Sequence, residues 1–341
     1  MSQLRKDPIV DRWVIIATER GKRPTAFRDG DEGAQSGFCP LCEGNEDRTP
    51  SEIWAIRNSG SEPDSPGWSV RVVPNKFPAL AIEGPLGRRP VGMFDMMEGV
   101  GAHEVLVESP KHDLRLHEAG EQELVGIITG YKERIADLQR DPRLRYIIVF
   151  RNYGLQAGAS LDHPHSQLIG MPITPKTVKD KLTAAREHYR RKERCIFCDL
   201  IEQELDGERV IAADDDFVVL SPFAARFPYE LVIFPRRHSH DFCAMDDRLT
   251  SAFARCLLDT LGRLAAALDD PPYNWVLNVA PNAVPRPGRP EFWGTLAMDY
   301  HWHLELVPRL TRMAGFEWGT GFHINPVAPE DAAEDLRRSK P

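Results

Sequence analysis

The feature that most constrains this chain is an ordered series of short motifs that occurs twice. The first series runs Cys39-Pro40-Leu41-Cys42, Val70-Arg71-Val72-Val73, Glu104-Val105-Leu106-Val107 into Pro110-Lys111-His112, Tyr146-Ile147-Ile148-Val149-Phe150, and His163-Pro164-His165-Ser166-Gln167. The second runs Cys195-Ile196-Phe197-Cys198, Phe217-Val218-Val219-Leu220, Glu230-Leu231-Val232-Ile233 into Pro235-Arg236-Arg237-His238, Trp275-Val276-Leu277-Asn278-Val279, and His301-Trp302-His303-Leu304-Glu305. The period is too long for a solenoid, so the order points to a duplicated domain. A single such motif arises easily by chance, whereas two series in the same order do not.

The apolar segments are short and β-branched, which suits antiparallel strands with helices to one side, an α+β fold. Each series leaves room for one helix, at residues 121–138 and 248–268, where apolar side chains recur every three or four positions. The charged stretch from Lys176 to Arg194 joins the copies and reads as a solvated helix or linker rather than a polyanion site. Pro281 to Pro290 reads as a loop. The 341 residues suit about two domains, taken as 1–180 and 181–341.

No apolar run approaches the roughly 20 residues of a membrane span, so no membrane partner is expected. A net charge of -8 argues against bulk nucleic-acid binding while leaving nucleotides as ligands. The start, Met1 to Pro8, lacks a signal-peptide pattern, and a cytoplasmic location is expected. Six cysteines are too few for a disulfide scaffold, yet four of them form the two Cys-x-x-Cys pairs.

Zinc takes four thiolate or imidazole ligands in a tetrahedron. Each copy offers such a set: Cys39, Cys42, His112 and His163, and then Cys195, Cys198, His238 and His301. Redox pairs and plain buried cysteines are the competing readings, but matched histidines in both copies favour metal. His240 and His303 are alternatives to His238 and His301, and iron could replace zinc in a mixed Cys/His set. Four protein ligands leave no open position, so the role is structural.

In a strand, residues i and i+2 share a face, which would put His163, His165 and Gln167 side by side. One imidazole can then anchor to a metal while the other acts as a nucleophile towards phosphorus. Gln167 can hydrogen-bond phosphoryl oxygens. Asn152 and the turn Gly158-Ala159-Ser160 can bring further donors to a phosphate.

Cys-Pro-Leu-Cys-x-Gly-Asn-Glu, Pro-Asn-Lys-Phe-Pro-Ala-Leu, Ser-Pro-Lys-His and Gly-Ala-Ser-x-x-His-Pro-His-Ser-Gln resemble the galactose-1-phosphate uridylyltransferase family of the histidine-triad superfamily. The resemblance runs from Arg5-Lys6-Asp7-Pro8 to Asn325-Pro326. It implies duplicated histidine-triad-like domains, with an antiparallel half-barrel sheet and helices outside. It also implies homodimers whose active sites form at the subunit interface. The implied reaction transfers UMP from UDP-glucose to galactose 1-phosphate through a uridylyl-histidine. By the same resemblance His165 is the nucleophile, Gln167 steadies the intermediate, and Ser160, Asn152 and Gly158 lie at the phosphates. Asn75 and Phe77 match a nucleotide-binding loop, Arg20 and Arg23 approach the nucleotide phosphates, and Glu317 lies near the hexose. Residues 1–180 would then be the catalytic half, and 181–341 a structural half with a sugar-binding tail.

The sequence departs from the enterobacterial members at Lys76, where they carry an acidic residue, and in its second Cys pair, where they use Glu with His. That pair and the tail Gly315 to Val327 resemble a branch that includes plant ADP-glucose phosphorylase, which passes adenylyl to inorganic phosphate by the same covalent chemistry. Glu305 stands where Gln167 does in the first copy, and its charge would repel a phosphate. The second copy is therefore expected to be catalytically silent.

Overall fold

The structure, a computed structural model, describes residues 2–8, 12–17, 38–285 and 293–340. Its centre is a ten-stranded sheet. Along the chain these strands are β3 (Trp54–Arg57), β4 (Trp68–Pro74), β7 (Ala102–Val107), β8 (Tyr146–Tyr153), β9 (His165–Met171), β10 (Val210–Ala213), β11 (Phe217–Leu220), β12 (Leu231–Pro235), β13 (Tyr273–Asn278) and β14 (His303–Pro308). The spatial order is β10-β11-β12-β14-β13-β8-β9-β7-β4-β3, and every pairing is antiparallel. The order reads the same from either edge once the second five strands are matched to the first. Duplication is thus written into the topology, and the halves join through β8 and β13, where Val149 pairs with Leu277 and Tyr153 with Tyr273.

The expected helices form as α1 (Glu121–Leu138) and α4 (Asp247–Leu268). Each follows the third strand of its half. In α1, Leu124, Ile127, Ile128, Tyr131, Ile135 and Leu138 are buried; in α4, Phe253, Leu257, Leu261 and Leu264 are. This three-and-four spacing makes one apolar stripe per helix. Both stripes share a core with Val70, Val149, Leu168, Trp275 and Leu304 from the sheet. The start of α4 is held by Asp246, whose carboxylate accepts the Leu249 N–H at 2.7 Å.

Three parts of the sequence reading change. The edge strands β3 and β10 carry no expectation, and neither does a separate four-stranded sheet of β1 (Gln3–Asp7), β2 (Arg12–Ile16), β5 (Arg89–Val91) and β6 (Phe94–Glu98). The joining segment is a helix, α2 (Lys176–Lys192), which buries Val178, Leu182 and Ala185, so it is packed on one side despite its charge. The boundary at residue 180 falls inside it. Finally, both His-x-His strands begin at their second histidine, with His163 and His301 in the approach to β9 and β14. Of the expected loop, residues 281–285 have no regular structure and 286–290 lie outside the described residues. Among the described residues no helix is long and apolar enough to cross a membrane.

Candidate active site and metal centres

Strand alternation divides the chemistry between the two faces of the sheet. Ser166 and Leu168 of β9 point to the helix side. His165 and Gln167 point to the opposite face, as do Asn152 of β8, Asn274 of β13 and Glu305 of β14, by the register of these strands.

His165 is buried, and its Nδ1 lies 2.7 Å from the carbonyl oxygen of His163. A carbonyl only accepts, so Nδ1 carries the proton and Nε2 keeps its lone pair. Burial, more than any neighbour, pushes its pKa down, so the ring is held neutral; Glu108 opposes the shift and Arg151 adds to it. A neutral imidazole with a defined free nitrogen is what attack on phosphorus requires.

Beneath β9, on the helix side, lies a buried polar network that the sequence did not announce. The Arg151 guanidinium donates to Glu108 at 2.9 Å and to the Tyr273 hydroxyl at 2.8 Å. The Ser166 hydroxyl donates to Glu108 and sits 2.5 Å from the Tyr131 hydroxyl. Arg151 also lies 5.1 Å from the Tyr153 ring centroid and 5.4 Å from that of Trp275. The network ties the residue after β7 to β8, β9 and β13 beneath His165, and the charges of Arg151 and Glu108 are paired.

The turn expected at the phosphates is held by residues of both halves. Asn274 donates to Asn152 Oδ1 and to the Ala157 carbonyl, each at 2.8 Å. Gly154 and Gly158 have φ of +81° and +85°, and a Cβ on Gly154 would sit 2.8 Å from Pro272. Ser160 follows this turn and is exposed. Asn75 Oδ1 accepts the Phe77 N–H at 2.9 Å, closing the loop after β4. Glu317 lies in the short surface helix α6 (Gly315–Thr320), where its carboxylate accepts the Ala314 N–H at 3.1 Å. Arg20 and Arg23 lie outside the described residues.

Both Cys/His sets assemble. In each, the four ligand atoms lie within 4.8 Å of one another. Cys42 Sγ is 3.3 Å from His112 Nδ1 and 3.6 Å from His163 Nδ1, and Cys198 Sγ is 3.3 Å from His238 Nδ1 and 3.6 Å from His301 Nδ1. A tetrahedral zinc with bonds of about 2.3 Å to sulfur and about 2.0 Å to nitrogen would put S and N about 3.6 Å apart. The histidines are oriented from behind: Nε2 of His163 and of His301 donate to the carbonyls of Ser109 and Pro235, at 2.7 and 2.8 Å. The His238 Nε2 donates to Ala297 O at 3.0 Å. Nδ1 is left as the ligating nitrogen in all three rings. Burial pushes His163 down to about 4, which keeps that lone pair available. The sets therefore gather His238 and His301, and neither His240 nor His303.

His303 repeats the geometry of His165, with Nδ1 3.0 Å from the His301 carbonyl. What faces it differs. Lys181 donates to Glu305 and to Asn278 Oδ1, and its Nζ lies 3.4 Å from His303 Nε2. Burial opposes ionisation of Glu305, but His303 and Lys181 outweigh it and hold the carboxyl well below its usual range.

Residues 1–175 match the model of the galactose-1-phosphate uridyl transferase N-terminal domain. The chain is 35% identical to an ADP-glucose phosphorylase of Arabidopsis thaliana over 98% of its length and 92% of the relative's. It is 29% identical to a galactose-1-phosphate uridylyltransferase of Thermotoga maritima over 100% of its length and 99% of that protein's. The crystal structure of an Arabidopsis thaliana ADP-glucose phosphorylase with bound ADP-glucose superposes with a TM-score of 0.78 at 33% identity, covering 99% of both chains. A uridylyltransferase mutant gives 0.79 at 27% identity, covering 99% of this chain and 97% of that one. With half of the chain matched by the family model and its full length aligned with such relatives, the chain belongs to the galactose-1-phosphate uridyl transferase family.

Proposed function

We propose that this chain is a hexose-1-phosphate uridylyltransferase that works through a nucleotidyl-His165 intermediate. The observation that carries the reading is the fixed tautomer of His165, with Nδ1–H spent on a backbone carbonyl and Nε2 kept as nucleophile on the sheet face that Gln167 and Asn152 share. Nε2 attacks the α-phosphorus of UDP-glucose, an N–P bond forms, and the bond to the bridging oxygen breaks to release glucose 1-phosphate. A phosphate oxygen of galactose 1-phosphate then attacks the same phosphorus, the N–P bond breaks, and UDP-galactose leaves. The His163 carbonyl stabilises the positive charge that the ring carries in between. Gln167, Ser160, Asn152 and Gly158 would serve the phosphates, with Arg20 and Arg23. Asn75 and Phe77 would serve the nucleotide, and Glu317 the hexose.

The two Cys/His sets would hold zinc, with iron as the substitute that the donor chemistry also accepts. Each metal would fix segments far apart in sequence and take no part in the bond changes. We take 1–180 and 181–341 as the units of duplication, the first catalytic and the second structural. Cysteines held outside disulfides, four of them in the metal sets, suit a reducing, cytoplasmic setting.

A second reading has its own support. The 35% identity to an ADP-glucose phosphorylase, together with the second Cys pair, favours ADP-glucose as donor and inorganic phosphate as acceptor, on the same His165. Intact-protein mass after mixing with UDP-glucose or with ADP-glucose, without acceptor, separates the two. One uridylyl group per chain, lost in His165→Ala and kept in His303→Ala, is expected. An adenylyl adduct would move the chain to the second reading, and no adduct with either donor would remove the covalent mechanism.

A further inference from the structure

The side chain of His103 is buried, with 5% of its surface exposed, and it joins the loop after β4 to Gln167. The Ala79 N–H donates to its Nδ1 at 3.0 Å. A backbone N–H can only donate, so Nδ1 is the acceptor and Nε2 carries the proton. That Nε2 lies 2.9 Å from Gln167 Oε1. The amide nitrogen of Asn75, 3.2 Å from the same Nε2, is a donor and so a neighbour rather than its acceptor; its orientation is fixed independently by the Phe77 N–H on Asn75 Oδ1. The chain of donors therefore has one consistent direction, from Ala79 through His103 to the oxygen of Gln167. Because that oxygen is engaged, the end of the amide left for a ligand is its NH2, a donor suited to a phosphoryl oxygen.

The second half supports the importance of this strand position. Val105 of β7 pairs with Gln167, and Val232 of β12 pairs with Glu305, so Glu230 stands where His103 does. Glu230 accepts from Arg226 at 2.6 Å, and the same guanidinium nitrogen donates to Glu305 at 3.0 Å. In the first half the residue two before the pairing valine bonds directly to the residue two after the second histidine; in the second half Arg226 bridges the two.

We propose that His103 is a positioning residue for nucleotidyl transfer: it sets the Gln167 amide with its NH2 towards the phosphoryl group on His165, and ties that setting to the loop at 75–79. The inference rests on the covalent reading above. His103→Asn keeps an oxygen near the Nδ1 position for Ala79 but cannot reach Gln167, whereas His103→Gln extends an N–H donor to where Nε2 stands. The rate of adduct formation in a single turnover, with the donor nucleotide sugar that labels the wild type, is the readout, checked against thermal melting of each variant.

The expected result is a loss of about tenfold for His103→Asn, the scale of one hydrogen bond. His103→Gln should stay within about threefold of wild type, and the loss on His103→Asn should vanish in a Gln167→Ala background. Additive losses in the double variant, or equal losses in the Asn and Gln variants, would overturn the role of His103 while leaving the covalent reading intact. A wild type that forms no adduct would overturn both.

Discussion

His165 and His303 have matched backbone positions and matched Nδ1 bonds, and they differ in what faces Nε2. An ammonium, that of Lys181, stands 3.4 Å from His303 Nε2. Burial lowers the pKa of His165, and this has a sign in both rate and stability. A free imidazole half-protonates at about 6.5; the buried one stays neutral through that pH. Adduct formation should therefore hold level as pH falls from about 8 through about 6.5, where a free imidazole would already be half protonated. Because the unfolded chain takes up the proton first, the contribution of neutral His165 to stability is complete above about 6.5 and is lost as pH falls. Single-turnover rates at stepped pH test this, and a rate already halved at about 6.5 would contradict it. At this scale the sequence was legible where alternation places side chains, as for His165 and Gln167. It was silent on His103, Arg151 and Glu108, because charged and polar residues read as surface. Arg151 and Tyr273 meet across 122 positions, so only the folded sheet brings the partners together.

Each Cys/His set gathers the ends of two neighbouring strands and a segment from outside the sheet. In the first, the Cys39–Cys42 turn meets the loop after β7 and the approach to β9; in the second, the start of α3 (Ile196–Glu204) meets the loop after β12 and the approach to β14. The first turn is braced further, since Asn45 donates to the Cys39 carbonyl at 2.8 Å and the Trp68 indole donates to Glu46 at 2.7 Å. Metal affinity at such a set is in part folding free energy. Cys39→Ser and Cys195→Ser should each lower bound metal from two ions per chain to one and cost about 3 kcal/mol or more of stability. Metal analysis and urea denaturation give the two numbers, and a Cys39→Ser variant with full metal content and unchanged midpoint would rule out the first site. These elements were readable because ligand spacing is local and repeated. The strands Gln3–Asp7 and Arg89–Val91 were not: both are short and carry charge in place of an apolar alternation, and the second lies at a sheet edge.

At the scale of the molecule, the two halves form one sheet and one helix-covered core, yet the stretch after β14 leaves large apolar side chains uncovered. Phe316, Trp318, Phe322 and Ile324 are all more than half exposed, with Trp318 at 85%. Trp68, Trp275, Trp293 and Trp302 are buried, and a run of exposed apolar side chains of this kind suits a surface made to be covered. We take the cover to be a second copy of the chain, since Glu317, the residue proposed for the hexose, sits within the same stretch. A specific dimer would need about 1,200 Å² or more of buried surface, which a tail laid across its neighbour can supply. Sedimentation of the wild type should give a dimer, and Trp318→Ser with Phe322→Ser should shift it to monomer. Thermal stability of each chain should change little, because neither side chain is packed within its own fold. Adduct formation and turnover should fall together in that variant if Glu317 acts on the site of the neighbouring subunit. A wild type that sediments as a monomer would end the dimer reading, and a monomeric variant with full turnover would return Glu317 to its own chain.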